Sequence, residues 1–342
     1  MPVLEKGVSA PHLAWCFPAL ISVTLTRRTA ATVYDTLSII TLKFPFGNPD
    51  VVNMSEHDLF TQHQRSYEAN RFVYPVLSRR SKGISVGVNL NPDKVCNFDC
   101  IYCQVNRTSQ SETRFIETDQ LLRELQEMLN LVTSGDIYKS PRFEHVASNL
   151  RRLNDIAFSG DGEPTTYKNF DEIVSRCARV KQQAELNDVK FVLITNASMF
   201  HRPAVQRGLE ILDAHNGEIW AKLEAGTQEY YQQIERTPIP LRKILDNITA
   251  AAQLRPLVIQ ALFMQVDGAP PPPGELAAFC DRLNEITRAG GQIKLVQVYT
   301  VARPPTESYV TPLADTEVDA IVELVTSRSG LPATAYYGSA AD

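Results

Sequence analysis

"GISVGVNLNPDKVCNFDCIYCQV", residues 83–105, decides how the rest of the chain is read. Its first eight residues, 83–90, are short, apolar and β-branched, as a strand requires. A loop follows in which Cys96, Cys100 and Cys103 are spaced C-x3-C-x2-C. Outward from this unit, strand-like apolar runs recur at 153–160, 189–196, 217–225, 256–266 and 292–300. Residues 118–132, 170–186, 274–290 and 315–328 lie between or after them and carry the apolar spacing of amphipathic helices. Six strands alternating with helices predict a parallel sheet joined by right-handed crossovers. The proline run at 269–275 falls where a strand-to-helix loop belongs, and no solenoid-type repeat is present.

Composition narrows the classes. With 342 residues and 44% hydrophobic content the chain can bury a large core, which excludes a disordered or fibrous protein. A formal net charge of −5 excludes bulk positive charge as a means of holding a polyanion and leaves local basic patches open. Six unevenly placed cysteines are no disulfide framework; they indicate a reducing, cytoplasmic setting and a metal or redox role for the clustered three. The apolar run 13–25 contains Pro18 and is too short to span a bilayer, so no membrane partner is expected. Residues 1–53 differ in character from the rest and read as a poorly ordered extension with Met54 as the functional start, or else as a genuine but divergent segment. The domain proper is then 54–342.

In a sheet of this kind the chemistry sits on loops after the C-terminal strand ends. The cysteines follow the first strand, "GDGEPT" (160–165) the second, "TNAS" (195–198) the third, "KLEAG" (222–226) the fourth and "ARPPTE" (302–307) the sixth. Three thiolates on one short loop can hold three irons of a [4Fe-4S] cube, whereas structural zinc sites and ordinary ferredoxin clusters take a fourth protein ligand. Cys16 lies in the doubtful extension, and Cys177 and Cys280 sit inside apolar-periodic helices where a thiol usually packs. The fourth iron is therefore open to a cofactor or substrate.

Cys96, Cys100 and Cys103, with Tyr102 before the last of them, resemble the signature of the radical S-adenosylmethionine (SAM) superfamily, and "SGDGEPT" (159–165) resembles its glycine-and-glutamate motif. The likeness covers roughly residues 80–330. It implies an α/β fold, a partial (β/α)6 barrel of the radical SAM type with parallel strands. It implies a [4Fe-4S] cluster on the three cysteines and S-adenosyl-L-methionine on its open iron. Gly160, Asp161, Gly162 and Glu163 then belong to the SAM site, with the glutamate meeting the SAM amino group. The implied chemistry is reductive cleavage of SAM to a 5′-deoxyadenosyl radical that abstracts a substrate hydrogen, fed by an external one-electron reductant such as flavodoxin or ferredoxin. "GVNLNPDKVCNFDCIYCQV", "WAKLEAG" and "VARPPTE" are similar to the branch related to wyosine-type tRNA-modifying enzymes, which makes tRNA one candidate substrate. That branch carries further N-terminal cysteines, and here Cys16 alone lies upstream of Cys96. The alternative is a non-catalytic iron–sulfur or zinc protein for electron transfer or interaction.

Other residues have two readings each. Tyr102 can lie against the adenine or pack beneath its loop. Asn196 and Ser198 can bond the ribose or methionyl carboxylate, or serve as turn residues. Lys222 and Glu224 alternate and so share a face, as a catalytic pair or a structural one. Arg303, beside Pro304 and Pro305, is a candidate anion holder. Arg79, Arg80 and Lys82 can touch a phosphate or form a solvated face.

Overall fold

The structure, a computed structural model, describes residues 67–338 other than 79, 81, 108, 110 and 112. The expected extension at 1–53, Cys16 and Arg79 lie outside the described residues, all of which fall in one compact unit spanning 50–342.

A first strand, β1 (Val73–Ser78), reverses through a turn in which Lys82 N donates to Ser78 O at 2.8 Å, and β2 (Gly83–Val88) pairs with it antiparallel. The chain then runs through α1 (Thr118–Thr133), β3 (Leu153–Phe158), α2 (Phe170–Gln183), β4 (Lys190–Thr195), α3 (Pro203–Ala214) and β5 (Gly217–Lys222). Two helices follow, α4 (Gln228–Glu235) and α5 (Leu241–Leu254), before β6 (Leu257–Leu262) and β7 (Met264–Val266). The last part holds α6 (Pro273–Arg288), β8 (Ile293–Tyr299), β9 (Val310–Pro312), α7 (Asp315–Ser329) and β10 (Ala333–Tyr336).

One sheet of eight strands has the order β1-β2-β3-β4-β5-β6-β8-β10, and every pairing after β1–β2 is parallel. Spatial order follows chain order, so each crossover lays the next strand on the same growing edge and the sheet curls without closing. The result is a partial barrel with the six expected parallel strands at its centre. Two strands extend it beyond the sequence reading. Pro75 lies within β1, where it is tolerated because the strand is an edge, and β10 adds the opposite edge. The single run expected at 256–266 divides at Phe263: β6 stays in the barrel and β7 leaves it to pair with β9.

Between sheet and helices lies an apolar layer. Phe158 stacks on Phe191 with ring centres 5.6 Å apart and meets Phe170 edge-on at 6.2 Å. Rings so buried contribute about 2–3 kcal/mol each. Cys177 and Cys280 are in this layer, fully buried on α2 and α6, where burial pushes the Cys177 thiol up to about 12. The opposite, concave face carries polar and small residues such as Ser85, Asp155, Ala157 and Gln260, which line a cavity of about 290 Å³. No helix among the described residues is long and apolar enough to cross a membrane.

Candidate active site

The cysteine loop leaves β2 at the C-terminal rim of the barrel. Phe98, Ile101, Tyr102 and Val105 are buried and act as its anchors, and the three cysteines between them stay half-buried at the cavity. Main-chain bonds fix it from two distant segments. Ile101 N donates to Ile234 O at 2.9 Å and Asp99 N to Glu235 O at 3.2 Å, tying the loop to the end of α4. From the loop after β8, Thr306 donates through N and through Oγ1 to Cys103 O, each at 3.2 Å.

Against its other side lies the glycine loop that follows β3. A β-carbon on Gly162 would overlap the Val95 carbonyl and the Asn91 side chain, and one on Gly160 would overlap Asn89. Both glycines are thus needed for the two loops to meet. Asn89 seals the contact, with Nδ2 donating to Asp161 Oδ2 at 2.6 Å and Oδ1 accepting from Asp161 N at 3.2 Å.

The Glu163 carboxylate is buried and already well supplied with donors. Oε1 accepts from Thr165 N at 3.1 Å and from the hydroxyls of Thr165 and Thr195; Oε2 accepts from Asn196 N at 2.7 Å. Burial raises its pKa, while these bonds oppose the rise. Oε2 retains capacity for one more donor. Asn196, Asn97 and Ser198 form a closed set: Asn196 Nδ2 donates to Asn97 Oδ1 at 3.0 Å, Asn97 Nδ2 to Ser198 Oγ at 2.7 Å, and Ser198 Oγ to Asn196 Oδ1 at 2.6 Å. This set joins the cysteine loop to the end of β4.

A polar cluster lies under Cys100. The Tyr102 hydroxyl donates to Glu224 Oε2 and lies 3.4 Å from both Glu235 oxygens, while the Cys100 thiol donates to Glu235 Oε2 at 2.7 Å. Lys222 Nζ sits 5.0 Å from the Tyr102 ring centre and donates to its hydroxyl at 3.4 Å, so Lys222 and Glu224 are linked through Tyr102. Burial, reinforced by Glu224, drives the Glu235 carboxyl well above the usual carboxylate range. Burial opposes the charge on Lys222, but Glu224 and then Tyr299 outweigh it and its pKa ends above that of an ordinary lysine. The upward shift disfavours a second negative charge on Glu235 beside Glu224, which lessens the cost of burying the cluster.

Of the described residues singled out in the sequence as site candidates, Glu224, Ser198 and Lys82 do not line this cavity: the first two are buried behind its wall and Lys82 is exposed. Arg303 is on the rim, its Nη1 donating to Gln104 Oε1 at 3.3 Å. Sequence reasoning missed Glu235 and Arg107. Glu235 had a signal: an acid in the last position of a helix opposes the helix dipole, and a buried one needs a reason to be there. Arg107 donates through Nη2 to Cys103 Sγ at 3.4 Å and through Nη1 to Asp161 O at 3.2 Å, and its buried Nε has no partner among the described residues. Only its position four residues after the last cysteine pointed to it.

The donor set fits a thiolate-held cluster. Three soft ligands share one loop, open onto one cavity and have a guanidinium beside them. Among the described residues no three His, Cys, Asp or Glu side chains are gathered around a point for a single ion; thiols that each hold a separate iron of a cube stand farther apart than ligands of one metal.

The fold and site together are an open, mostly parallel barrel with three thiols and a glycine–acid loop at its C-terminal rim. This chain belongs to the radical SAM superfamily, whose family model matches residues 90–268, just over half of it. It is 26% identical over 234 residues to the UPF0026 protein of Helicobacter pylori (strain J99), covering 67% of this chain and 66% of that protein. It is 27% identical over 172 residues to the protein named GTPase Obg of Brachyspira hyodysenteriae, covering 49% of this chain and 21% of that protein. The chain thus spans less than two thirds of either relative. Among solved structures, the radical SAM methyltransferase from Sphaerobacter thermophilus shares the fold with a TM-score of 0.53 and 13% identity, covering 78% of this chain and 69% of that one.

Proposed function

We propose that this chain is a radical SAM enzyme that cleaves S-adenosylmethionine reductively and directs hydrogen abstraction at a substrate in the barrel. The observation that carries the reading is the convergence of Cys96, Cys100, Cys103, the 160–163 loop and Asn196 on one cavity. When bound, a [4Fe-4S] cluster and SAM supply a one-electron cleavage of the cofactor's carbon–sulfur bond and with it a 5′-deoxyadenosyl radical.

The chain's own residues do the rest. Cys96, Cys100 and Cys103 would hold three irons. Glu163, clamped on Oε1, offers the remaining capacity of Oε2 to the SAM amino group. Arg107 adds positive charge beside Cys103, and Arg303 stands at the rim where a carboxylate can be met. Tyr102, with its hydroxyl held by Glu224, serves as a fixed floor under the cysteine loop and not as a mobile ring. A non-catalytic carrier would have no use for the cavity behind the loop.

Anaerobic reconstitution tests the reading. The expected result is about four irons and four sulfides per chain, and formation of 5′-deoxyadenosine and methionine once SAM and a strong reductant are added. Alanine at Cys96, Cys100 or Cys103 abolishes both, whereas Cys177→Ala and Cys280→Ala retain them. Zinc in place of iron and sulfide, or a full cluster in Cys100→Ala, refutes it.

A further inference from the structure

At the end of the barrel opposite the thiols, the β1–β2 turn sends Arg80 into the interior instead of out to solvent. Its guanidinium carbon lies 5.4 Å from the Trp220 ring centre and 5.1 Å from that of Tyr299, within cation–π range of both. Nη1 is buried and, among the described residues, has no hydrogen-bond partner. No carboxylate among them forms an ion pair with Arg80 either. Other cations at the cavity have hydrogen-bond partners: Lys222 through Tyr102 with Glu224, Arg303 with Gln104, and Arg107, whose Nε is likewise unmet, with Asp161 O and Cys103 Sγ.

A half-buried arginine with one buried guanidinium donor unmet is poorly satisfied by the protein alone. Aromatic rings hold its plane, and the edge of a guanidinium so fixed suits the paired oxygens of a carboxylate or a phosphate. Ser85, Asp155 and Gln260 line the same interior, with Asp155 accepting from Ser85 Oγ and Gln260 Nε2 donating to Gln297 Oε1 at 3.0 Å. The cavity is continuous from these residues to the cysteines, and its volume of about 290 Å³ is at the small end for a ligand site.

We propose that Arg80 is the anion anchor of the substrate: a small molecule bearing a carboxylate or phosphate binds with that group on Arg80, at the inner end of the cavity from the thiols. This deepens the proposed function by naming a substrate class and rests on it for the word substrate; the anion site itself does not.

The chain has two tryptophans, so a Trp15→Phe background leaves Trp220, against Arg80, as the sole reporter. Inorganic phosphate and acetate are titrated separately into the full chain, before and after cluster reconstitution, while tryptophan fluorescence is followed. A saturable change with phosphate alone assigns a phosphorylated substrate, and one with acetate alone a carboxylate. Either response should weaken at least tenfold in Arg80→Met, and far-UV circular dichroism of that variant should match the parent. Arg80→Lys, which keeps the charge without the planar edge, should retain part of it. No response to either anion, or a response that survives Arg80→Met, overturns the proposal. Failure of cluster assembly in the parent with the anion response intact would sink the radical SAM reading and leave this site standing.

Discussion

Removing the Glu163 carboxylate should unsettle the fold as well as the cofactor site. Glu163 is 3% exposed and bridges the loop after β3 to the end of β4 through two backbone N–H groups and two threonine hydroxyls. In Glu163→Ala the hydroxyls can rotate toward other acceptors, but the N–H groups of Thr165 and Asn196 cannot. Each orphaned buried donor costs about 1–3 kcal/mol, so the expected loss for the two is about 2–6 kcal/mol. At about 2–4 °C per kcal/mol for a chain of this size, Tm falls by roughly 4–24 °C. Glu163→Gln should lie between alanine and the parent, because its amide oxygen can serve the Oε1 donors while its NH2 faces Asn196 N–H. Thermal unfolding of the cluster-free protein gives the stability change, and equilibrium dialysis of SAM against the reconstituted protein gives the binding change. A Glu163→Ala variant that melts with the parent and loses only SAM affinity would refute the clamp.

Two further outcomes follow, one from Glu218 beside Trp220 and one from the seam between loops. Glu218 accepts from Trp220 Nε1 at 2.9 Å, Lys190 Nζ at 2.9 Å and Lys294 Nζ at 2.8 Å; burial would raise its pKa, but these bonds outweigh burial and hold it at about 2. A folded pKa below the unfolded one stabilises above the unfolded value and is lost as pH falls. The parent's advantage over Glu218→Gln, about 1–2 kcal/mol at neutral pH after allowance for the exposed lysines, should therefore vanish between about pH 4.5 and 2 in urea titrations. Gly162→Ala should push Val95 and the cysteine loop away from the glycine loop, lowering bound iron and sulfide at least severalfold while circular dichroism shows the barrel intact.

What could be read in the sequence was whatever depends on local period. The central strands are buried on both faces and stand out as apolar runs, and β6 is buried at all six positions. The edges were hidden because Pro75 argues against a strand until its partnerless side is known. The region from 203 to 254 holds three helices that drew no notice: α3 carries Gly208, packed under the Phe170 ring, and α4 has only eight residues. At the site, cysteines, glycines and Glu163 announced themselves by spacing. Their surroundings did not, since Arg80 as a letter in a basic run reads as a phosphate contact or a solvated face, and only the inward fold of one turn sets it against Trp220. Likewise the two readings of Tyr102, an adenine contact or packing beneath its loop, gave no sign of the Glu224 and Glu235 partners of its hydroxyl.

The clamp of Thr306 on the Cys103 carbonyl joins residues 203 positions apart. On a translating ribosome, adding residues at about 5–20 per second, Thr306 is made about 10–40 s after Cys103. Glu235, the partner of the Cys100 thiol, is also made well after it. The thiols therefore leave the exit tunnel long before their loop has its final supports, at a time when nothing fixes their spacing and oxidants can reach them. If the chain holds the proposed cluster, machinery delivering iron and sulfide would meet a finished receptacle only near the end of synthesis, and loading would be a late, post-folding event.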